Sequence, residues 1–178
     1  MSDALQALYE GDLETARKRL PADDELSVFE ASAFGRCERL RAILSEDPVQ
    51  AAARSGDGFT PLHLAVFARQ EAAARLVIEH GADVNALSSG EIARVPPLRT
   101  AAHARSVSMA RLLLDAGADV NGEGEDGFTT LHAAAFNGDE ALIRLLLDRG
   151  ANPGVKDSQG RTAADLVKDD NLRSLLDP

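Results

Sequence analysis

A repeated segment constrains this chain more than any other feature of its sequence. GDGFTPLHLAVF begins at Gly56, and a near copy, EDGFTTLHAAAF, begins 69 residues later at Glu125. Glycines that follow leucine-rich segments recur at Gly81, Gly117 and Gly150, with separations of 36 and then 33 residues. A period of 33 residues with one three-residue insertion predicts a stack of similar units, because each unit can bury its apolar side only against a neighbour.

Each unit carries the signals of two helices joined by tight turns. Thr60 and Thr129 can cap a first helix, and Pro61 suits its first turn because proline has no N–H to leave unpaired. A leucine-rich second helix ends at the recurring glycine, which suits the left-handed position after a helix. Ala-Asp-Val-Asn and Asp-Gly sequences then predict a hairpin-like finger between units.

The segments TPLHLA and GADVNA, together with the 33-residue period, resemble those of the ankyrin-repeat family. The resemblance covers nearly the whole chain. It implies an all-α fold, a solenoid of stacked helix-turn-helix units joined by β-hairpin-like fingers. About five repeats are expected, with polar caps at both ends because the outermost units face solvent.

The repeat also predicts the boundaries of the parts. We expect a single domain over residues 1–178, and an enlarged finger where the insertion falls, at 87–95. The predicted parts are N-terminal capping helices at 1–22, repeat 1 at 23–55, repeat 2 at 56–88, repeat 3 with the inserted finger at 89–124, repeat 4 at 125–157 and a C-terminal capping repeat at 158–178.

Composition excludes several classes of protein. The formal net charge is −10, which argues against nucleic acid or an anionic membrane as the main partner. Cys37 is the one cysteine, so no intramolecular disulfide can form and a reducing compartment is expected. There is no run of 18 apolar residues and no signal-peptide pattern at the N-terminus. We expect a cytoplasmic monomer, and the excess of arginine over lysine favours a bacterial source.

The four histidines do not form a metal-binding pattern. His63 and His132 occupy the same repeat position, whereas His80 and His103 fall elsewhere, and none has paired-ligand spacing. The resemblance implies that the histidine of TPLH ties the finger to the helix by hydrogen bonds. Arg99 replaces this histidine in the third unit, so we expect a less tightly held finger there. No metal and no cofactor is predicted.

Two glycine-containing segments imitate ligand-binding motifs. GEGEDG at 122–127 matches a dinucleotide-binding pattern, but it follows no strand-like segment and its three acids would repel a pyrophosphate. DVNGEG, from Asp119, imitates the start of a calcium loop, but the twelfth position is Thr130 where a bidentate glutamate is required. Because no nucleophile motif occurs either, we predict that the chain is not an enzyme.

Phenylalanines recur at two repeat positions, and one unit has other residues there. The position before the capping residue holds Phe59, Val95 and Phe128, and the position near the end of the first helix holds Phe67, His103 and Phe136. The resemblance implies that these variable positions line a concave groove, where aromatic side chains would anchor a partner. The alternative is that the rings pack on one another and complete the core.

We interpret the chain as a protein–protein interaction module that binds a partner protein through its concave groove and finger tips. The six residues above form the candidate surface, and Asp57, Glu123, Glu125 and Asp126 would rim it and favour a partner with a basic surface. Two alternatives remain. Asn85 and Asn121, in GADVN, resemble asparagines that asparaginyl hydroxylases modify, and an enzyme site in the groove would need converging titratable groups.

Overall fold

The protein is all-α. The computed structural model describes residues 2–89, 94–124 and 126–176. Within them lie α1 (Asp3–Tyr9), α2 (Leu13–Lys18), α3 (Val28–Ala33), α4 (Cys37–Glu46), α5 (Pro61–Phe67), α6 (Glu71–Glu79), α7 (Pro97–His103), α8 (Val107–Asp115), α9 (Thr130–Asn137), α10 (Glu140–Asp148), α11 (Ala163–Leu166) and α12 (Asp170–Leu176). Short 3₁₀ helices cover Asp23–Glu25 and Pro48–Ala52. The predicted all-α class is confirmed.

Side-chain caps explain where most of the helices begin. The Thr60 hydroxyl accepts the backbone N–H of His63 (3.4 Å) at the start of α5, as the sequence predicted. Ser106 accepts the N–H of Met109 (3.3 Å) before α8, and Asp139 accepts that of Leu142 (3.1 Å) before α10. Each cap satisfies a donor that the first helical turn leaves unpaired.

The chain divides into two compact units, Met1–Asp83 with Ser88–Glu91, and Val84–Leu87 with Ile92–Pro178. In the first unit α1 pairs with α2, α3 with α4 and α5 with α6, and α3 also packs against α1 and α5. In the second unit α7 pairs with α8, α9 with α10 and α11 with α12, and α9 packs between α7 and α11. Both units therefore stack helix pairs side by side.

Leucines and alanines fill the interior of each unit. The largest fully buried side chains are Leu26, Leu40, Leu44, Leu62 and Leu64 in the first unit, and Leu98, Met109, Leu113, Leu131, Leu142, Ile143 and Leu146 in the second. Alanines such as Ala65 and Ala134 are also fully buried and let neighbouring helices approach closely. At the C-terminal end, α12 buries Leu172 and Leu176 and exposes Arg173, consistent with the expected polar cap.

The turns inside the helix pairs differ in one respect that the sequence did not predict. Gly35 and Gly138 take left-handed backbone conformations there, with φ of 65° and 64°. Arginines take the same conformation at the equivalent positions after α5 and α7, with φ of 57° at Arg69 and 51° at Arg105. Because a Cβ crowds the following carbonyl in this conformation, each arginine costs on the order of 1 kcal/mol that a glycine avoids.

The predicted finger insertion is only partly described. Residues 90–93 of the 87–95 segment lie outside the described residues. Ser88 is buried, and the backbone N–H of Ser89 donates to the carbonyl of Gly58 (2.9 Å). Elsewhere, an isolated antiparallel bridge joins Glu123 and Thr129 across another finger. None of the helices in the described ranges is both long and apolar enough to cross a membrane.

Replacing Leu113 with alanine should destabilise the protein by about 2–5 kcal/mol, because this side chain is fully buried and its removal leaves a cavity. Urea denaturation followed by circular dichroism measures the change. Leu13→Ala is the matched control, since Leu13 is 55% exposed and should cost less than about 0.5 kcal/mol. Equal losses in the two variants would contradict the burial described above.

Candidate functional site

The histidines at the shared repeat position act on the backbone. The Nδ1 atom of His132 lies 2.8 Å from the Thr129 hydroxyl and accepts the Thr129 backbone N–H at 3.2 Å. Its Nε2 atom lies 3.1 Å from the carbonyl oxygen of Arg161. Since Nδ1 accepts the hydrogen bond from the Thr129 N–H, it carries no proton, so Nε2 carries the proton and donates a hydrogen bond to the Arg161 carbonyl. His132 thus links its own helix start to the next finger, and it is buried.

His63 repeats the inner part of this arrangement. Its Nδ1 atom lies 2.8 Å from the Thr60 hydroxyl, and it accepts the Thr60 backbone N–H at 3.4 Å. The side chain is almost fully buried. Both contacts agree with the structural role that the family resemblance implied for this histidine.

Arg99 takes the place of the histidine in α7 and corrects the sequence-based expectation of a weakly held finger. Its guanidinium donates to both carboxylate oxygens of Asp126 (2.8 and 3.0 Å) and to the carbonyl oxygen of Phe128 (3.2 Å). Phe128 is the counterpart of Arg161, which His132 contacts. Arg99 therefore holds the following finger by three hydrogen bonds, where histidine makes one.

Pro96 explains why an arginine stands there. The capping position before α7 is occupied by Pro96, which has neither a hydroxyl nor a backbone N–H. A histidine at position 99 would therefore lack both partners that Thr129 gives His132. An arginine needs no such partner, because it reaches the next finger directly.

The negative charge of Asp126 pairs with Arg99 inside the same unit. Burial of this carboxyl would raise its pKa, but the hydrogen bonds from Arg99 and from the Phe128 backbone outweigh burial and hold the pKa below its usual value. Asp126 stays ionised and paired. Its predicted role as a negatively charged rim residue remains a proposal. The Arg99 guanidinium already pairs with this carboxylate and offsets its charge.

Two asparagines join successive fingers of the second unit. The Asn85 side chain accepts the Asp119 N–H (2.8 Å) and donates to the Gly117 carbonyl (3.4 Å). Asn121 makes the same pair of bonds one repeat later, with the N–H of Asn152 (2.8 Å) and the carbonyl of Gly150 (3.3 Å). Each of these side chains therefore joins one finger to the next by two hydrogen bonds.

Tyr9 covers the two predicted anchor residues of the first unit. Its ring centre lies 5.4 Å from that of Phe67, in an edge-to-face arrangement, and 6.2 Å from that of Phe59. All three rings are partly buried, and Phe59 and Phe67 pack with Tyr9 against a core that includes Leu5 and Leu64. Sequence analysis missed Tyr9, since the first helix pair lacks the TPLH motif that marks equivalent positions. Here the rings contribute to the core as well as to the surface.

Burial and a carboxylate shape the chemistry of Tyr9. Burial of the hydroxyl, followed by the nearby charge of Asp57, raises the pKa of Tyr9 well above its usual value. Asp57 is partly buried, and its carboxylate accepts a hydrogen bond from the Ser55 hydroxyl. Asp57 therefore contacts its own finger and affects Tyr9, besides its proposed role at the rim.

The predicted anchor residues of the second unit have different surroundings. Phe128 is partly buried beneath the Arg99 guanidinium, whose carbon lies 5.1 Å from the ring centre in a cation–π contact. Phe136, at the end of α9, is 67% exposed. His103 is exposed at the equivalent end of α7, which packs beside α9. The structure thus leaves one predicted phenylalanine largely open to solvent.

The remaining candidates lie at the fingers. Val95 is partly buried, and Glu123 is exposed. Glu125 lies outside the described residues. Within residues 2–89, 94–124 and 126–176, no group of three or more His, Cys, Asp or Glu side chains could hold a metal ion.

Comparison with known proteins identifies the repeats. A family profile described as "Ankyrin repeats (3 copies)" matches residues 90–157, and one described as "Ankyrin repeat" matches residues 57–89. The chain is 38% identical over 167 residues to ankyrin repeat and SOCS box protein 3 of Bos taurus, covering 88% of this chain and 31% of that protein. It is 31% identical over 140 residues to ankyrin repeat and SAM domain-containing protein 6 of Rattus norvegicus, covering 79% of this chain and 12% of the relative.

A shorter match is to a protein that is named as an enzyme. Over 51 residues the chain is 45% identical to the human tRNA endonuclease ANKZF1. The matched segment covers 29% of this chain and 7% of that protein. In each of the three relatives, this chain spans less than a third of the full length. The similarity therefore concerns the repeats and carries no activity from the rest of those proteins.

Arg99→His should destabilise the protein by about 1.5–3 kcal/mol, because it removes the charge-assisted bonds to Asp126 and the histidine lacks a partner at Pro96. Adding Pro96→Thr to this variant should restore most of the loss, by recreating the Thr–His arrangement of α9. Chemical denaturation of the two single variants and the double variant gives the coupling between the sites. Additive effects would refute our explanation for the arginine.

Tyr9→Phe should make the protein less sensitive to alkaline pH. Because the folded-state pKa of Tyr9 is raised above its unfolded value of about 10, its contribution to stability is present below that pH and is lost as the pH rises past it. Tyr9 is the only tyrosine, so absorbance at 295 nm follows its ionisation directly. Absorbance and circular dichroism should change together above pH 10, and ionisation of a still folded protein near pH 10 would contradict the shift.

Proposed function

Because the chain belongs to the ankyrin-repeat family, whose repeats generally serve as protein-interaction modules, we propose that it binds a partner protein through a surface that includes Phe136 and His103. The exposure of Phe136 supports this proposal most directly. Large apolar side chains that are more than half exposed are few in the described residues, and Phe136 is the aromatic one among them. Aromatic residues, phenylalanine among them, are enriched at the centres of protein interfaces.

The location of the two side chains adds support. Phe136 and His103 hold equivalent positions at the ends of α9 and α7, which pack together. An aromatic ring and an imidazole on neighbouring helices offer a partner apolar contact together with a hydrogen-bonding group. Helices hold both residues on a rigid scaffold, so little conformational entropy is lost on binding.

Charge favours a basic partner for this surface. The chain carries a net charge of −10, and Glu123 is exposed on a finger of the same unit. Complementary charge speeds association and disfavours acidic competitors. Asp57 and Asp126 contribute less in this proposal, because each is already engaged by neighbouring groups.

The other phenylalanines have a mixed role in this proposal. Phe59 and Phe67 pack on Tyr9, and Phe128 lies beneath Arg99, so these partly buried rings offer a partner less surface than Phe136 does. Val95 would contribute apolar area at the finger. We therefore place Phe136 first among the candidate residues.

Other functions have less support. Hydroxylation of Asn85 or Asn121 would require an enzyme to withdraw side chains that make two hydrogen bonds each to the next finger. Proteins of this family are typically non-enzymatic, and we propose the same of this chain. The single Cys37 and the excess of arginine support a cytoplasmic, bacterial protein, which we propose to be a monomer.

Phe136→Ala should weaken partner binding by about 2 kcal/mol or more, as truncation of an interface hot spot does, with little effect on stability because the ring is largely exposed. Affinity capture from the native lysate with the wild-type protein supplies the partner. Titration calorimetry with that partner then compares the wild-type protein and the variant.

Val49→Ala is the control, since Val49 is exposed on another part of the chain and should leave binding unchanged. Phe67→Ala should show the opposite balance to Phe136→Ala, with a larger loss of melting temperature, because Tyr9 packs on its ring. Unchanged affinity in Phe136→Ala would exclude the proposed surface.

A further inference from the structure

Two hydrogen bonds join the ends of α7 and α9 beside the proposed binding surface. The side-chain amide of Asn137, the last residue of α9, donates to the carbonyl oxygen of Ala102 in α7 (3.0 Å). In the opposite direction, the Arg105 guanidinium, from the turn after α7, donates to the backbone carbonyl oxygen of Asn137 (3.3 Å). Each helix end therefore supplies one donor and one acceptor to the other, and all three residues lie in the second unit.

These cross-helix hydrogen bonds involve the sequence neighbours of the two residues that form the surface. His103 directly follows Ala102, and Phe136 directly precedes Asn137. Both His103 and Phe136 are exposed. A change in the spacing of the two helix ends would therefore displace the Phe136 ring relative to His103.

The Asn137 amide is not required to form the turn that follows it. In four other helix pairs, the position immediately before the left-handed residue of the turn holds Glu10, Phe34, Ala68 and Ala104. The turn therefore forms without a side-chain amide. In Asn137 the amide makes a partly buried hydrogen bond to the neighbouring helix, which adds a connection beside Phe136.

Arg105 makes its contact in spite of an unfavourable backbone conformation. Its φ of 51° lies in the left-handed region, which glycine adopts at the equivalent Gly138 without a steric penalty. The guanidinium donates at the C-terminal end of α9, where the last helical carbonyls lack partners within the helix and a positive charge is favourable. The arginine thus stabilises the end of the helix that carries Phe136.

The spacing of the helix ends matters for binding because a partner contacts several side chains at once. Helix ends fray more readily than helix centres, so unlinked ends would present His103 and Phe136 at a variable distance. Two hydrogen bonds that run in opposite directions restrict this variation before a partner arrives. A surface that is already ordered loses less conformational freedom on binding.

We propose that the hydrogen bonds made by Arg105 and Asn137 pre-organise the partner-binding surface, so that both are positioning residues for Phe136 and His103. The inference rests on the proposed function, because it assigns a role at that same surface. The role is local to the ends of α7 and α9. Loss of either bond should therefore weaken partner binding far more than it weakens the fold.

Hydrogen exchange followed by NMR tests the connection without a partner. The backbone N–H groups of Gly138 and Asp139 donate to carbonyls in the last turns of α9, so their exchange rates report opening of this helix end. In Arg105→Gly and in Asn137→Ala, both amides should exchange about tenfold faster than in the wild-type protein.

Neither variant should lower the melting temperature by more than about 4 °C. Glycine accepts the left-handed conformation at position 105, and alanine is a better helix former than asparagine at position 137. Arg111→Gln is the matched control, because it removes an exposed arginine from α8 in the same unit. It should leave exchange at the end of α9 unchanged.

Titration calorimetry with the partner protein recovered by affinity capture measures the effect on binding. Arg105→Gly should weaken binding about fivefold or more, and Arg105→Lys should recover most of this loss because lysine keeps a charged donor at the position. Arg111→Gln should bind like the wild-type protein. In combination with Phe136→Ala, Arg105→Gly should add little further loss, because a positioning residue acts through a ring that is already absent.

The failure of this role can be told apart from the failure of the binding surface. Unchanged exchange in Arg105→Gly and Asn137→Ala, unchanged affinity in Arg105→Gly, or additive losses in the double variant would overturn the positioning role and leave the Phe136 surface in place. Unchanged affinity in Phe136→Ala would exclude the surface itself. Faster exchange in Arg105→Gly would then mean that the two hydrogen bonds serve the fold alone.

Discussion

The fold depends on a link from the first helix of one repeat to the finger of the next. A single helix pair cannot bury its apolar side, so adjacent pairs must be held in register for the core to exist. In the second unit this link is a hydrogen bond to a finger carbonyl, given by His132 to Arg161 and by Arg99 to Phe128. Different side chains meet the same requirement, because the carbonyl of the next finger needs a donor whichever residue supplies it.

Signals that act within a few residues were predictable from the sequence. The helix starts at Thr60 and Thr129 follow from local capping chemistry, and the family follows from the period. The pairing of Arg99 with Asp126 joins residues 27 positions apart and was not predicted, although Pro96 held the clue that a Thr–His pair could not form. The role of Tyr9 was not predictable in the same way, since it arises from tertiary packing with Phe59 and Phe67.

Equivalent positions in a repeat do not have equivalent surroundings. Phe67 and Phe136 occupy the same place in their repeats, yet Tyr9 covers the first and the second is largely exposed. The repeat fixes where a side chain leaves the backbone, and neighbouring side chains decide how much of it stays in contact with water. Sequence alone therefore proposed the candidate residues but could not rank them by their exposure to solvent.

The hydrogen bonds of Asn121 between fingers also affect how readily this asparagine can deamidate. Asn121 precedes Gly122, and asparagine before glycine is the pairing most prone to deamidation, in which the glycine nitrogen attacks the side-chain carbonyl carbon. Here the Asn121 amide is held by Asn152 and Gly150, and the Gly122 N–H donates to the carbonyl of Asp119 (3.1 Å). Both reacting groups are thus turned to other partners while the fingers stay joined. We therefore expect the hydrogen bonds that join neighbouring fingers also to slow deamidation of Asn121.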